Sequence, residues 1–301
     1  MEDSQHRIAR LNQELCDLLL ERMDHPGIFP TAIEGLNLVR REDATASENC
    51  FERPLTGLVV RGVKHSVMSG AEFVYSANQT VVAGVDMPIS SWVDGASPEE
   101  PFLFLYLYLD RQTLSSLAME MGPVPDGPLP GSVSVADADA DILETFLRLV
   151  ELSGRPGQIP FRAPLMLREL HYLLLAGPHG RTLRFLHTPG TQNSQVARAV
   201  SWIRENFRAP MRVDELAREV CMSAASLHRN FKRLTGLSPL QYQKQLRLFE
   251  AQRLMLQENE RASSAALTVG YESVTQFNRE YKRHFGEPPL RDMARRRALA
   301  V

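Results

Sequence analysis

The last third of this 301-residue chain repeats itself at an interval of 50 residues, and this repeat restricts what the region can fold into. Eight positions match in one ungapped register: Ser223, Leu227, Arg229, Phe231, Lys232, Arg233, Gly236 and Pro239 correspond to Ser273, Phe277, Arg279, Tyr281, Lys282, Arg283, Gly286 and Pro289. Because both basic clusters return at the same spacing, chance is a poor explanation. We therefore expect two copies of one supersecondary unit in this region.

The first copy has the pattern of a helix-turn-helix. Residues 213–220 predict a short helix with acidic residues in its first turn, where the helix dipole favours them. A tight turn follows, and Ser223 is a suitable N-cap for a second helix over 224–235. Gly236 is a suitable C-cap for that helix.

The second copy has the same design with a turn that is one residue longer. Residues 266–272 predict a short helix and a glycine turn, and a second helix is expected over 274–285. Between the two copies, residues 240–258 contain no Gly or Pro and predict one long connecting helix.

The second helix of a helix-turn-helix unit presents side chains near its start to base edges in the major groove of DNA. The candidate base contacts point away from the apolar core face: Ala225, Ser226, His228, Arg229, Val274, Thr275, Gln276, Asn278 and Arg279. The candidate phosphate contacts are Ser223, Lys232, Arg233, Ser273, Lys282 and Arg283. Two such helices on one rigid connection can enter successive major grooves about 34 Å apart. The alternative, two solvated helix faces, does not explain why the basic clusters are duplicated.

The charge of the chain is divided in the same way. The whole chain has 34 Lys and Arg against 36 Asp and Glu, a net charge of −2. Residues 1–190 hold 15 basic and 25 acidic residues, whereas residues 191–301 hold 19 and 11. The basic part carries the repeat, so its predicted partner is the polyanion double-stranded promoter DNA.

Residues 194–297 resemble the DNA-binding domain of the AraC/XylS-type bacterial transcriptional regulators. The stretches that carry the resemblance are 216–223, 227–239, 269–273 and 285–289. The sequence departs from the family pattern at Cys221, where the first turn usually has Gly, and at Ala265, where a larger aliphatic residue is usual. The resemblance implies a sequence-specific regulator of transcription.

The acidic part contains short β-rich runs, punctuated by Gly, Pro and Asn, over residues 31–109. Residues 102–109 alternate aromatic side chains with Leu, so both faces are apolar and the strand is expected to be buried on both sides. Several short strands at such close spacing along the chain predict a β-sandwich or a β-barrel. Residues 137–187 are helical in pattern, and this region either forms a dimer interface or packs on the strands.

Residues 31–125 also resemble the N-terminal domain of a subgroup of the same regulators. The resemblance rests on the order of Gly62-Val63-Lys64, Tyr75, Asp86-Met87-Pro88-Ile89, Pro101 and Leu109-Asp110. That resemblance implies a cupin-like β-barrel that binds a small-molecule effector. The candidate pocket residues are Phe73, Tyr75, Trp92, Tyr106 and Tyr108. The expected fold class is a multidomain α+β protein with an effector domain over 1–187, a linker over 188–195 and an all-α DNA-binding domain over 196–301.

Two other functions are weighed against this one. A cupin-type metal-dependent enzyme with an appended DNA-binding domain would hold its metal through an HxH pair, but the sequence has none and His65 stands alone. We therefore predict no catalytic residue, no metal and no cofactor. Redox sensing through Cys16 or Cys50 is the other alternative.

No apolar run reaches the ~20 residues of a membrane span, so we expect a cytoplasmic protein with no membrane partner. The other candidate partners are RNA polymerase and a second copy of the chain.

Overall fold

The computed structural model describes residues 2–44, 48–122 and 130–299. Its contacts divide the chain into two compact units. The first contains Met1–Ala197 with Arg233–Gly236, and the second contains Arg198–Lys232 with Leu237–Val301. All strands of the described residues belong to the first unit, whereas the described part of the second is helical. This confirms the predicted α+β multidomain class.

Two antiparallel sheets form the centre of the first unit. The strands are β1 (Gly27–Pro30), β2 (Leu36–Arg41), β3 (Glu48–Glu52), β4 (Leu55–Arg61), β5 (Val63–Met68), β6 (Ala71–Ser76), β7 (Gln79–Ala83), β8 (Met87–Asp94), β9 (Phe102–Tyr108) and β10 (Val133–Asp137). The order is β1-β2-β9-β4-β7-β10 in the larger sheet and β3-β8-β5-β6 in the smaller.

The two sheets face each other and do not close into a continuous β-barrel, which the family resemblance had implied. Among the described strands, no hydrogen-bonded pair joins one sheet to the other. The register between β4 and β9 shifts between Val59 and Arg61, and Gly62 follows in the left-handed conformation (φ 91°). This bend leads the chain from β4 in one sheet to β5 in the other, so strand pairing does not continue across it.

Strand β9 shows how the sequence pattern creates both faces of the larger sheet. It lies between β2 and β4, and its leucines belong to a core that includes Leu15 and Phe146 from helices. Its aromatic side chains lie on the opposite face, where Phe104 and Tyr106 face the smaller sheet. The prediction that this strand is buried on both sides is confirmed.

Helices cover the leucine face of the larger sheet. They are α1 (Glu2–Arg22), α2 (Arg111–Glu120), α3 (Ala140–Ser153), α4 (Ile159–Ala176) and α5 (Gly180–His187). On α3, Ile142, Phe146, Leu149 and Val150 form a buried apolar stripe. On α4, Leu170 and Leu174 are buried, but Leu165 is 71% exposed.

The second unit consists of helices that follow the predicted repeat. They are α6 (Gln192–Asn206, in this unit from Arg198), α7 (Val213–Glu219), α8 (Ala224–Thr235, in this unit up to Lys232), α9 (Pro239–Gln257), α10 (Ala262–Thr268), α11 (Val274–Phe285) and α12 (Pro289–Leu299). The predicted bounds of α8 and α11 are confirmed, and the long connecting helix is α9. Helix α6 begins at Gln192, inside the range expected for the linker.

Within the ranges that the structure describes, no helix is both long enough and apolar enough to cross a membrane.

Candidate nucleic-acid interface and ligand cavity

The first helix-turn-helix unit consists of α7 and α8. Leu227 and Phe231 are fully buried, so they fix which face of α8 is turned inward. Ser223 Oγ accepts a hydrogen bond from the backbone N–H of Ser226 at 3.2 Å, and this caps the start of α8. On the opposite face, Ala225, His228 and Arg229 are exposed and Ser226 is half-buried.

The second unit, α10 and α11, repeats this arrangement. Ser273 Oγ accepts from the backbone N–H of Gln276 at 3.3 Å, and Phe277 and Tyr281 are fully buried. The solvent-facing side chains of α11 are those that the repeat predicted: Thr275, Gln276, Asn278 and Arg279 are exposed, and Val274 is half-buried.

Both units turn the chain through one residue in the left-handed conformation. Gly270 has a φ of 92°, and Cys221 holds the same place in the first unit with a φ of 57°. The next residue closes each turn: Met222 N–H donates to the Ala217 carbonyl at 2.8 Å, and Tyr271 N–H donates to the Ala266 carbonyl at 2.9 Å. The departure at Cys221 therefore leaves the turn geometry unchanged, although a Cβ is disfavoured there.

Helix α9 connects the two helix-turn-helix units through side chains that no sequence motif indicated. Arg247 donates to the carbonyls of Phe207 (2.6 Å) and Gly270 (2.9 Å). It therefore links the residue that follows α6 to the turn of the second helix-turn-helix unit. Gln243 also donates to the Phe207 carbonyl, at 3.0 Å. These bonds join main chain from both ends of the domain to one helix, which supports the predicted rigid connection.

The buried carboxylate of Glu280 forms several side-chain hydrogen bonds on α11, the second helix of the second helix-turn-helix unit. Glu280 Oε1 accepts from Lys244 Nζ (2.9 Å) and Gln276 Nε2 (3.3 Å), and Oε2 accepts from the Tyr271 hydroxyl (3.0 Å). Burial opposes ionisation of Glu280, but these hydrogen bonds outweigh it and hold the pKa of the carboxyl below its usual value. Glu280 is therefore ionised near neutral pH.

A second buried carboxylate, Asp292, lies behind the same helix. Its Oδ2 accepts from the Tyr281 hydroxyl at 2.7 Å and from Gln252 Nε2 at 2.8 Å. Its Oδ1 accepts from Arg295 and Arg296, both at 2.9 Å. Burial alone would raise the pKa of Asp292, yet these hydrogen bonds lower it.

The candidate phosphate contacts are not equally accessible. Ser223, Lys232, Ser273, Lys282 and Arg283 are exposed. Arg233, in contrast, is half-buried, and desolvation lowers the pKa of its guanidinium. The two basic clusters match in sequence but differ in accessibility at this one position.

A cavity of about 100 Å³ lies between the two sheets of the first unit. Tyr75 and Tyr106, two of the five candidate pocket residues, line it. Trp92 instead stacks on His65 with ring centroids 5.0 Å apart, and Tyr108 lies beneath the Arg53 guanidinium at 4.6 Å. Phe73 is half-buried and does not line the cavity either.

Charged side chains in this cavity were not among the candidates. Arg41, Glu52 and Lys64 line it together with the aromatic residues, and Lys64 Nζ lies 4.5 Å from the centre of the Phe104 ring. The alternation of β5, which turns Lys64, Ser66 and Met68 to one side, was a sequence signal that could have identified Lys64.

The alternative functions depend on particular side chains in the first unit. Cys16 is buried, and its burial raises the pKa of the thiol, whereas Cys50 lines the cavity. His65 Nε2 lies 2.7 Å from Asp94 Oδ2 and its Nδ1 lies 3.2 Å from Glu72. In the part of the chain that the structure describes, no three His, Cys, Asp or Glu residues are grouped as metal ligands would be.

Two sequence families match the chain. Residues 32–182 match the family described as AraC-type transcriptional regulator N-terminus, and residues 216–295 match a helix-turn-helix domain family. The first match covers half of the chain, and the second covers both helix-turn-helix units except the first residues of α7.

Individual curated relatives match over part of their length. The HTH-type transcriptional regulator ArgR of Pseudomonas aeruginosa is 32% identical over 108 residues, which are 36% of this chain and 33% of that protein. The HTH-type transcriptional activator RhaS of Salmonella schwarzengrund is 24% identical over 178 residues, 59% of this chain and 63% of RhaS. The match thus spans about a third of the length of ArgR.

Solved structures of ToxT from Vibrio cholerae strain SCE256 share the fold. An apo form superposes with a TM-score of 0.59 and 12% identity, covering 86% of this chain and 97% of ToxT. A form with bound unsaturated fatty acid gives 0.56 and 12%, covering 90% and 97%.

Proposed function

Because this chain belongs to the family of AraC-type transcriptional regulators, we propose that it binds promoter DNA and controls transcription in response to a small-molecule effector. The observation that carries the proposal is the pair of recognition helices, α8 and α11, each held by its own buried core with polar side chains exposed. No catalytic step is part of this function. The protein would act in the cytoplasm, where it can reach chromosomal DNA.

Each recognition helix would read one sub-site of the operator. Arg229 and Arg279 occupy matching exposed positions, and an arginine can donate two hydrogen bonds to guanine. Gln276 and Asn278 can read adenine, and Ala225, Val274 and Thr275 can pack on a thymine methyl group. His228 and Ser226 complete the surface of α8. The phosphate contacts would come from Lys232, Lys282, Arg283 and the helix starts at Ser223 and Ser273.

Substitution of each arginine tests these assignments. Operator sites are selected from random-sequence DNA with the full chain, and the base preference at every position is compared with that of Arg229→Ala and Arg279→Ala. Each substitution should relax the preference at its own sub-site by ~1–3 kcal/mol, whereas Lys232→Ala should weaken binding to all sequences alike. If Arg229→Ala lowered specific and random binding equally, α8 would not read bases.

The cavity between the sheets is the proposed effector site. Two cations, Arg41 and Lys64, accompany one carboxylate, Glu52, among aromatic and aliphatic side chains. This lining suits a small organic anion with an apolar part, a chemistry in keeping with the fatty acid bound to ToxT. Regulation requires that the effector bind the DNA-bound and free forms with different affinities.

Benzoate is a suitable first probe of this site. We expect it to raise the unfolding temperature of the full chain and to change its affinity for the selected operator, and Lys64→Met should remove both effects. The control is Lys232→Met, which should keep the rise in unfolding temperature. Benzoate binding with unchanged operator affinity in the wild type would contradict the regulatory part of the proposal.

A second copy of the chain is a proposed partner of α4. Phe161, Leu165 and Tyr172 are 77%, 71% and 48% exposed and lie along one side of this helix, where water-facing apolar side chains are costly. Leu165→Glu should turn a dimer into a monomer in analytical ultracentrifugation, whereas Arg162→Glu, a neighbouring exposed change, should not. RNA polymerase is the further partner that a promoter-bound regulator would meet.

A further inference from the structure

One hydrogen bond fixes the orientation of the Gln276 side chain on the second recognition helix. Its Nε2 donates to Glu280 Oε1 at 3.3 Å, and Glu280 is only 7% exposed. Glu280 is held in turn by Lys244 at 2.9 Å and by the Tyr271 hydroxyl at 3.0 Å. A carboxylate accepts hydrogen bonds and donates none, so the amide nitrogen of Gln276 must face Glu280. The acceptor Oε1 is therefore left on the other side, and one N–H of the amide is also free.

The matching pair on the first recognition helix has the opposite arrangement. Asn230 occupies the place of Glu280 and is 4% exposed, and Ser226 occupies the place of Gln276. Asn230 Nδ2 donates to the main-chain carbonyl of Ser226 at 3.0 Å and to its Oγ at 3.2 Å. Since that carbonyl can only accept, the nitrogen of Asn230 is the atom that faces Ser226. The hydroxyl accepts from Asn230 and keeps its own proton to donate.

From this contrast we infer that the two recognition helices present different hydrogen-bonding groups to DNA: Ser226 turns its hydroxyl proton towards the bases as a donor, and Gln276 turns its Oε1 towards them as an acceptor. Asn230 and Glu280 are the positioning residues that set these orientations. A donor reads guanine O6 or N7, adenine N7 or thymine O4, whereas an acceptor reads the amino group of adenine N6 or cytosine N4. The inference rests on the proposed DNA-binding function and specifies which base atoms each helix reads.

Single-atom base analogues test the inference with the full chain and its selected operator. The position read by each residue is first located as the one whose base preference is lost in Gln276→Ala or in Ser226→Ala. At the Gln276 position, replacing adenine by purine or cytosine by 2-pyrimidinone removes the amino group, which should weaken wild-type binding about fivefold. Replacing N7 by carbon there should weaken binding less than removal of the amino group, because only one of the two N–H groups of Gln276 is free to donate. At the Ser226 position, removal of the acceptor atom should weaken binding and removal of an amino group should not.

Two substitutions then test the positioning residues. In Glu280→Gln the obligate acceptor is lost, so Gln276 can turn and the sensitivity to amino removal should fall below about twofold. In Asn230→Asp the new carboxylate accepts the Ser226 proton, so the sensitivity to acceptor removal should fall in the same way. The double change Gln276→Glu with Glu280→Gln should restore the sensitivity to amino removal, because a glutamate at position 276 can only accept.

The outcomes separate the inference from the function on which it rests. If Glu280→Gln weakens all operators equally and keeps the analogue pattern, Glu280 has only a structural role and the inference is wrong. It is also wrong if Gln276→Ala changes no base preference, or if the Gln276 position tolerates amino removal. The wild-type analogue pattern decides the matter even if a variant fails to fold. Failure of the wild type to prefer any DNA sequence would instead overturn the proposed function.

Discussion

The two helix-turn-helix units share a backbone design and differ in how they are held together. In the first unit, the rings of Phe231 and Tyr242 pack edge to face with centroids 5.3 Å apart. In the second unit, the matching positions are Tyr281 and Asp292, joined by a hydrogen bond of 2.7 Å. One unit thus relies on aromatic packing where the other uses a buried charge.

This difference shows which properties the repeat constrains. Caps, turns and the apolar core face recur because the backbone geometry requires them in both units. The polar partners have diverged, since a buried pair can be satisfied by more than one chemistry provided that no donor or acceptor is left without a partner. We therefore expect the two units to respond differently to substitution and to pH.

The largest effect is expected from removing the buried charge of the second unit. Asp292→Ala leaves Arg296 and the Tyr281 hydroxyl without their acceptor and should lower the free energy of unfolding by about 3–5 kcal/mol. Chemical denaturation of the full chain measures this. Asp214→Ala, an exposed acidic residue in the first turn of α7, should cost less than about 1 kcal/mol. Equal losses from the two changes would show that the buried charge has no special role.

The two turns should respond in opposite directions. Gly270→Ala places a Cβ against the Arg208 carbonyl oxygen in a left-handed conformation, and should destabilise by about 3 kcal/mol. Cys221→Gly removes a strained Cβ at the matching position and should raise the free energy of unfolding by about 1 kcal/mol or less. The gain is small because glycine also increases the conformational entropy of the unfolded chain. The same denaturation experiment gives both values. A stabilising Gly270→Ala would refute the equivalence of the two turns.

Acid should destabilise the second helix-turn-helix unit at a higher pH than the first. The pKa values of Asp292 and Glu280 are lowered in the folded state, so their contribution is present above the unfolded pKa of about 4. It is lost as the pH falls through the folded pKa values. Amide hydrogen exchange below pH 4 should therefore show α11 opening more readily than α8. The prediction fails if α8 loses protection at the higher pH of the two.

Much of the second compact unit, which contains both helix-turn-helix units, could be predicted from the sequence, because its signals are local. Ser223, Ser273 and Gly286 mark helix ends through contacts with neighbouring residues. The bonds of Arg247 to Phe207 and Gly270 span 40 and 23 residues, and no local pattern indicates them. In the first compact unit, the alternation in β9 placed Tyr106 and Tyr108 on one face but did not show how far along the strand the cavity extends. Tyr108 therefore entered the pocket candidates, and Lys64 did not.

The central claim is that α8 and α11 enter two major grooves on one face of DNA, at a separation fixed by α9. Inserting base pairs between the two sub-sites of the selected operator tests this directly. Five base pairs turn one sub-site by about half a turn, and binding should fall to the level of a single sub-site. Ten base pairs restore the face but lengthen the gap by about 34 Å, so binding should remain low. Unchanged affinity after the five-base-pair insertion would contradict the account.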